Sequence, residues 1–124
     1  MSRIAKELDE NKPEIITHNK RDVETAEKSC VPSVLIKRLI FDESKIAESI
    51  RGIHAVIKLD DPIGKTLHCT EMDTNLDLYK VTCPVGVIGA IFESRPDALI
   101  QIASLCLKSG NAVILKGGSE STNT

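Results

Sequence analysis

The chain has 124 residues, a formal net charge of −2 and 27% charged residues, enough for one domain and not for two of ordinary size. Acidic and basic residues are interleaved, as in Lys58-Leu-Asp-Asp61, and no basic stripe carries aromatics, which sets nucleic-acid binding aside. No apolar run approaches the ~20 residues of a membrane span, so no membrane role is assigned and a cytoplasmic protein is the expectation.

Aromatic side chains are scarce: Phe41, Phe92 and Tyr79, with no Trp. The core is therefore expected from Ile, Leu, Val and Ala, a composition that suits helices packed on a buried sheet. From Arg3 to Lys28, residues Ile4, Leu8, Ile15, Ile16 and Val23 recur at helical spacing between charges, which predicts helix. Pro13 interrupts the pattern and is expected in the first turn of a second helix, with Asn11 as its cap. Pro32 to Leu39 reads as a further helix. Asp42 or Ser44 then caps another that runs to about Leu59, with Ile46, Ile50, Ile53, Val56 and Ile57 as its core-facing stripe.

Asp60-Asp-Pro-Ile-Gly64 is a turn-rich stop. Two extended segments follow, about Lys65 to Glu71 and Leu76 to Cys83, with Asp73-Thr-Asn75 between them. They read as a β-hairpin, with Leu76, Leu78 and Lys80 on one face and Tyr79 and Val81 on the other. Val85 to Phe92 is a continuous apolar run rich in β-branched residues and reads as a parallel-sheet strand buried on both faces. Its glycines, Gly86 and Gly89, are expected to admit a helix or a cofactor close over the sheet. Pro96 opens a helix through Leu107, with Ser94 as candidate cap and Ile100, Ala103 and Leu107 turned to the sheet. Ser109-Gly-Asn111 stops that helix, Ala112 to Lys116 is a second buried strand, and Ser119 caps a helix that barely starts. The order gives a right-handed β-α-β unit.

In open α/β sheets, ligands bind beyond the carboxyl ends of the strands. Two such ends are present, Phe92-Glu-Ser-Arg-Pro96 and Lys116-Gly-Gly-Ser-Glu120. Both lead into helix N-termini, whose free N–H groups and partial positive charge favour phosphate. Lys116 adds a full charge, and the glycines let a ligand approach the backbone. Two readings stand for the second end: a contact for nucleotide phosphate or ribose, or an ordinary βα turn with a solvated lysine. Neither Ser94 nor Ser119 has a histidine nearby in sequence, so no nucleophile–base pair is evident. Cys30, Cys69, Cys83 and Cys106 form no C-x-x-C pair, and His68 and Cys69, adjacent on a strand, point to opposite faces. Four reduced thiols and no metal site are expected, with Cys106 buried and inert on its helix.

The runs Cys83-Pro-Val-Gly-Val-Ile-Gly-Ala-Ile-Phe-Glu-Ser-Arg-Pro-Asp97 and Leu105-Cys-Leu-Lys-Ser-Gly-Asn-Ala-Val-Ile-Leu-Lys-Gly-Gly-Ser-Glu120 closely resemble the γ-glutamyl phosphate reductase family of the aldehyde dehydrogenase superfamily. Dehydrogenases in general share the P-x-G-V-x-G-x-I and G-N-x-x-x-x-K strands. The reductases differ in E-x-R-P after the first strand and K/R-G-G-x-E after the second, and both variants stand here. Asn19-Lys-Arg-Asp22, Leu35-Ile-Lys-Arg-Leu39 and Asp61-Pro-Ile-Gly64 match further family segments, so the resemblance covers nearly the whole chain.

The resemblance implies an α/β fold. N-terminal helices (1–60) and an oligomerisation-type hairpin (65–83) precede the first β-α-β (84–117) of a Rossmann-like NADPH-binding domain that is incomplete here, the catalytic domain being absent. It implies NADPH-dependent reduction of γ-glutamyl phosphate to glutamate-5-semialdehyde in proline biosynthesis, through a cysteine thioester that hydride reduces. Lys116 would contact the adenosine ribose or the 2′-phosphate of NADPH, with Gly117, Gly118, Ser119 and Glu120 lining the same pocket. Ser94 falls where dehydrogenases carry an asparagine that binds the oxyanion, which makes it a candidate oxyanion helper. Arg95 would either attract the acyl phosphate or form a structural salt bridge. None of the four cysteines matches the family's catalytic one, so the chain by itself is expected to bind cofactor poorly and not to turn over. The full-length parent is expected to be a homo-oligomer, free-standing or fused or associated with a glutamate 5-kinase. A non-catalytic nucleotide-binding or regulatory module of the same descent is the alternative.

Overall fold

The computed structural model describes residues 1–124. Four helices come first: α1 (Ser2–Glu10), α2 (Lys12–Lys28), α3 (Ser33–Leu39) and α4 (Glu43–Lys58). A hairpin of β1 (Thr66–Asp73) and β2 (Leu76–Val81) follows, then β3 (Val87–Ile91), α5 (Pro96–Lys108), β4 (Ala112–Lys116) and a 3-10 turn, Ser119–Ser121. The result is an α/β chain, helices first and small sheets after.

The helices form where the apolar spacing places them, and their ends are set by local chemistry. Asp42, not Ser44, caps α4: its Oδ1 accepts the Lys45 N–H at 2.9 Å, satisfying one of the orphan donors of the first turn. Asn11 stands at the N-cap of α2, as expected, but makes no side-chain cap bond there; its backbone N–H and its Nδ2 both donate to the Glu7 carbonyl, at 3.0 and 2.8 Å, and close α1. Two helices end in Schellman motifs. In α5, Asn111 N–H reaches Cys106 O and Gly110 N–H reaches Leu107 O, with Gly110 at φ 68°. In α2 the same pair of bonds runs from Val31 to Ala26 and from Cys30 to Glu27, and the left-handed position falls on Cys30, at φ 55°.

The core is a cluster of Ala5, Phe41, Ile46, Ile53 and Ile100, flanked by Ile4, Leu8, Ile15, Ile16, Ile50 and Ile57. It lies where α1, α4 and α5 meet. Full burial of each large member contributes about 1.5–3 kcal/mol. Ile46, Ile50, Ile53 and Ile57 of the α4 stripe are therefore core or packed on it, as their spacing predicts, and Val56 is not. Ile100 belongs to this helical cluster and not to the sheet, and Leu107 is exposed, so α5 spends its most apolar face on α4.

β3 and β4 pair in parallel from Val87↔Ala112 to Ile91↔Lys116, with α5 as the crossover. The expectation of strands buried on both faces is wrong. Ile88, Ala90, Val113 and Leu115 are half-buried, whereas Val87, Ile91 and Ile114 stand 68%, 81% and 67% exposed. Only two strands are joined in this sheet, and one helix covers only one face. Above Gly86 and Gly89 there is open space, so neither accommodates a packed helix here. The hairpin's strands are exposed along their whole length. Its turn is Thr74–Asn75, with Asn75 at φ 61°. Its base is tied to the body, where the Thr82 hydroxyl donates to Pro62 O at 2.6 Å and accepts the Lys65 N–H at 2.9 Å.

Two buried polar residues of α2 join distant parts of the chain. Asn19 and Asp22 are 4% and 3% exposed and lie three residues apart, on one helical face. Asn19 Nδ2 donates to Leu39 O (2.9 Å) and its Oδ1 accepts the Phe41 N–H (2.7 Å), fixing the α3–α4 corner. The Asp22 carboxylate accepts from Asn123 Nδ2 (2.6 Å), Thr124 N (2.8 Å) and Thr124 Oγ1 (2.6 Å), fixing the segment after β4. Burial acts to raise the Asp22 pKa. The hydrogen bonds from Thr124 and Asn123 outweigh it and hold the carboxyl below its ordinary value.

Two predictions follow from these positions. Gly110→Ala places a side chain at φ 68°, with its Cβ 2.6 Å from Ile63 Cδ1; the left-handed backbone alone costs about 1–2 kcal/mol. Gly52→Ala, in the middle of α4 with nothing within 4 Å, gains about 0.5–1 kcal/mol. Urea unfolding of the two variants should move in opposite directions, and a shared sign refutes the assigned backbone roles. For Asp22, the folded pKa is the lower one, so its stabilisation is complete above the ordinary Asp value of about 3.9 and is lost as pH falls through the folded value. Asp22→Asn should cost about 1–3 kcal/mol near neutral pH, with the gap to wild type closing in acid. A gap independent of pH contradicts this account.

Candidate functional site

The parallel pairing brings the carboxyl ends of β3 and β4 side by side, with Phe92 N–H donating to Lys116 O at 3.1 Å. A cleft of about 420 Å³ opens there. One wall is the β3 end, Ile91, Phe92 and Glu93; the other is Lys116, Gly117, Gly118, Ser119 and Glu120. All five residues singled out by the sequence on the second strand therefore line one cleft. The third wall, Val31, Pro32 and Leu35, was missed by sequence reasoning. Its only signal was the short α2–α3 connection, where the left-handed Cys30 turns the chain toward the sheet.

Lys116 is exposed and makes no ion pair or hydrogen bond through Nζ within the chain, although Glu93 and Glu120 line the same cleft. Glu120 is engaged elsewhere. Its Oε1 accepts from the Ser94 amide at 2.9 Å and from the Ser94 hydroxyl. Its carboxylate lies against Gly118, where a Cβ would collide with both oxygens. The Ser94 hydroxyl bond, together with Glu120's own amide, holds the Glu120 pKa below its ordinary value against the opposing effect of burial.

Ser94 takes neither place foreseen for it, whereas Arg95 takes the second of its two, a salt bridge. Ser94 is fully buried, at 0% exposure, and does not line the cleft. Its hydroxyl proton is given to Glu120, so it has none to offer an oxyanion. It does not cap α5 either, whose N-cap is Arg95 without a side-chain bond. Ser94 sits at φ 42°, a left-handed conformation that costs an L-residue about 1–2 kcal/mol. The Arg95 guanidinium is exposed and paired with Asp97 at 3.1 Å, outside the cleft's lining. Ser119 begins a three-residue 3-10 turn whose N-cap is Gly118, so it caps no helix.

A second cavity of about 340 Å³ lies on the other side of Gly117 and Gly118, among Leu8, Ile15, Phe41, Leu99 and Ile100. No charged side chain lines it, so it has no cation for a phosphate. Cys106 is buried, whereas Cys30, Cys69 and Cys83 are exposed, and none of the four lines either cavity. No helix is long and apolar enough to cross a membrane.

No family model matches the chain. Curated relatives do, along its whole length. It is 59% identical over 124 residues to the γ-glutamyl phosphate reductase of Pelotomaculum thermopropionicum and 56% identical to that of Acetivibrio thermocellus. It spans 29% of the length of each of these relatives. Solved γ-glutamyl phosphate reductases share the fold. The Saccharomyces cerevisiae enzyme superposes with a TM-score of 0.94 at 44% identity, covering 98% of this chain and 31% of its own. The Thermotoga maritima enzyme gives 0.91 at 39% identity, covering 97% and 29%. In sequence and in fold, the chain is similar to the N-terminal part of γ-glutamyl phosphate reductases over nearly its whole length.

Proposed function

We propose that this chain supplies the cofactor-holding part of an NADPH-dependent reductase that converts γ-glutamyl phosphate to glutamate-5-semialdehyde, the reaction that would place it in proline biosynthesis. The observation that carries the reading is the unpaired Lys116 ammonium over Gly117 at the carboxyl end of β4. A cation free of intramolecular partners at a strand end, beside a glycine that leaves the backbone approachable, fits a phosphorylated nucleotide. The apolar wall of Val31, Pro32 and Leu35 fits the flat face of a base. When bound, the nicotinamide supplies the hydride that the reduction consumes. The chain's own residues bind and orient it: Lys116 through charge, Gly117 and Gly118 through close approach, and Ser119 through its hydroxyl.

The electrophile is an acyl phosphate. Arg95 can meet its phosphate only by exchanging Asp97, so we assign Arg95 a supporting contact and no catalytic step. The thiolate nucleophile of the reaction has no counterpart among Cys30, Cys69, Cys83 and Cys106, and the chain alone is expected not to turn over. A glutamate 5-kinase, which makes an acyl phosphate of this kind, is the partner whose product this site would consume. The hairpin, apolar and exposed on both faces through Leu67, Met72, Leu76, Leu78 and Tyr79, is the segment we assign to self-association of the complete enzyme.

Fluorescence titration of the chain with NADPH should show weak binding. Lys116→Ala should weaken it about 10–100-fold, the range for losing a hydrogen bond to a charged group, and Lys116→Arg should retain most of it. A folded chain whose affinity is unchanged by Lys116→Ala sinks the assignment. Tight binding by a cooperatively folded chain favours the other reading, a non-catalytic nucleotide module of the same descent. Light scattering on the complete enzyme should report a dimer or larger, reduced to monomer by charged substitutions at Leu76 and Leu78; a monomeric wild type refutes the hairpin's role.

A further inference from the structure

The residue that resemblance places among the cofactor's ligands is, in the structure, bonded to the protein. We propose that Glu120 and Ser94 form a latch that joins the end of β3 to the turn after β4, and that Glu120 shapes the cleft as a positioning residue in place of touching the ribose. The inference rests on the reading of the cleft as a nucleotide site, and its structural part is tested apart from it.

Three independent observations converge on the latch. Ser94 N–H and Oγ both donate to the single oxygen Glu120 Oε1, across 26 residues of chain. Ser94 is fully buried and held at φ 42°, a conformation that persists only where surrounding contacts over-determine it. Gly118 provides the room. Its φ of −73° is open to any residue, so the backbone does not require glycine there. The requirement comes from the Glu120 carboxylate folded back against it, where a Cβ would fall on both oxygens. The lowered Glu120 pKa keeps the acceptor ionised, which makes both bonds charge-assisted.

The chemical consequence is pre-organisation. Gly117, Gly118 and Ser119 are anchored at Lys116 by the β4 ladder and at Glu120 by the latch, so the wall is formed before a ligand arrives and less ordering is lost on binding. The latch also turns one of the cleft's two carboxylates inward.

Amide hydrogen exchange of residues 117–121 in the nucleotide-free chain tests the latch directly, with circular dichroism as the check on folding. Ser94→Ala, Glu120→Ala and Gly118→Ala should each speed that exchange by at least about tenfold, the range for losing a hydrogen bond to a charged group. The double variant Ser94→Ala/Glu120→Ala should exchange no faster than the quicker single, as for two ends of one interaction. Glu120→Gln keeps an acceptor oxygen but loses the charge, and should fall between wild type and Glu120→Ala. Unchanged exchange in Ser94→Ala, or additive effects in the double variant, overturns the latch. NADPH titration of the same variants tests its role: Ser94→Ala, which keeps the Ser94 amide bond, should weaken binding, though by less than Glu120→Ala, which removes both. If Glu120→Ala and Glu120→Gln both weaken binding while Ser94→Ala does not, Glu120 is a ligand and the positioning role is refuted. If exchange follows the latch pattern and the folded wild type shows no NADPH binding, the nucleotide reading fails and the latch stands as structure alone.

Discussion

The fold depends on a buried polar anchor. A helix with Asn19 and Asp22 on its inner face would be a liability if those groups lacked partners, since an unsatisfied buried carboxylate costs several kcal/mol. Every polar atom of the pair that matters is matched. Asn19 closes the corner between α3 and α4, and Asp22 gathers the amides and side chains of Asn123 and Thr124. The apolar core holds α1, α4 and α5 together without specifying where the end of the β-α-β unit must lie. The anchor adds that directional information. It fixes the segment after β4 against α2, and so fixes the α2–α3 connection that walls the cleft.

The site is thus assembled from three stretches far apart in sequence. Parallel pairing aligns the strand ends, the anchor sets the outer wall, and the Ser94–Glu120 contact ties one strand end to the other. Its electrostatics follow from this arrangement. Two carboxylates and one ammonium line the cleft, which by composition alone is no anion site. Hydrogen bonding does not remove the Glu120 charge; it holds that carboxylate at Ser94, while the Lys116 ammonium has no partner within the chain.

Much of this was legible in the sequence, for reasons of range. The α4 stripe, the Asp42 cap, the turn at Gly110 and the two apolar runs are local patterns with periods that physics fixes, and each appears in the structure. The strand-end motif at Lys116 to Glu120 was legible for the same reason, because a β-α-β order dictates where a cleft must open. What failed was long-range. Asn19 and Asp22 were visible as a resembling motif, but their partners lie 20 to 105 positions away. Ser94 looked like a cap from its neighbours and like an oxyanion donor from the family resemblance, and only the fold brings Glu120 to it. Asn11 holds the expected N-cap position of α2, but its side chain serves α1: its Nδ2 donates to the Glu7 carbonyl, and its oxygen accepts from no α2 amide. The strands' burial was misjudged because an apolar run states what a strand can bury and not how much cover it meets.

That shortage of cover has a consequence for how such a chain behaves in a test tube. The two sheets contain two strands each, so every strand leaves one flank of N–H and C=O groups unpaired, and the faces beside those flanks expose Leu67, Val87 and Ile114. Strand edges of this kind template the addition of further strands. Concentration therefore governs what these edges do: dilute, they are hydrated, and crowded, each is a surface on which another copy can add a strand.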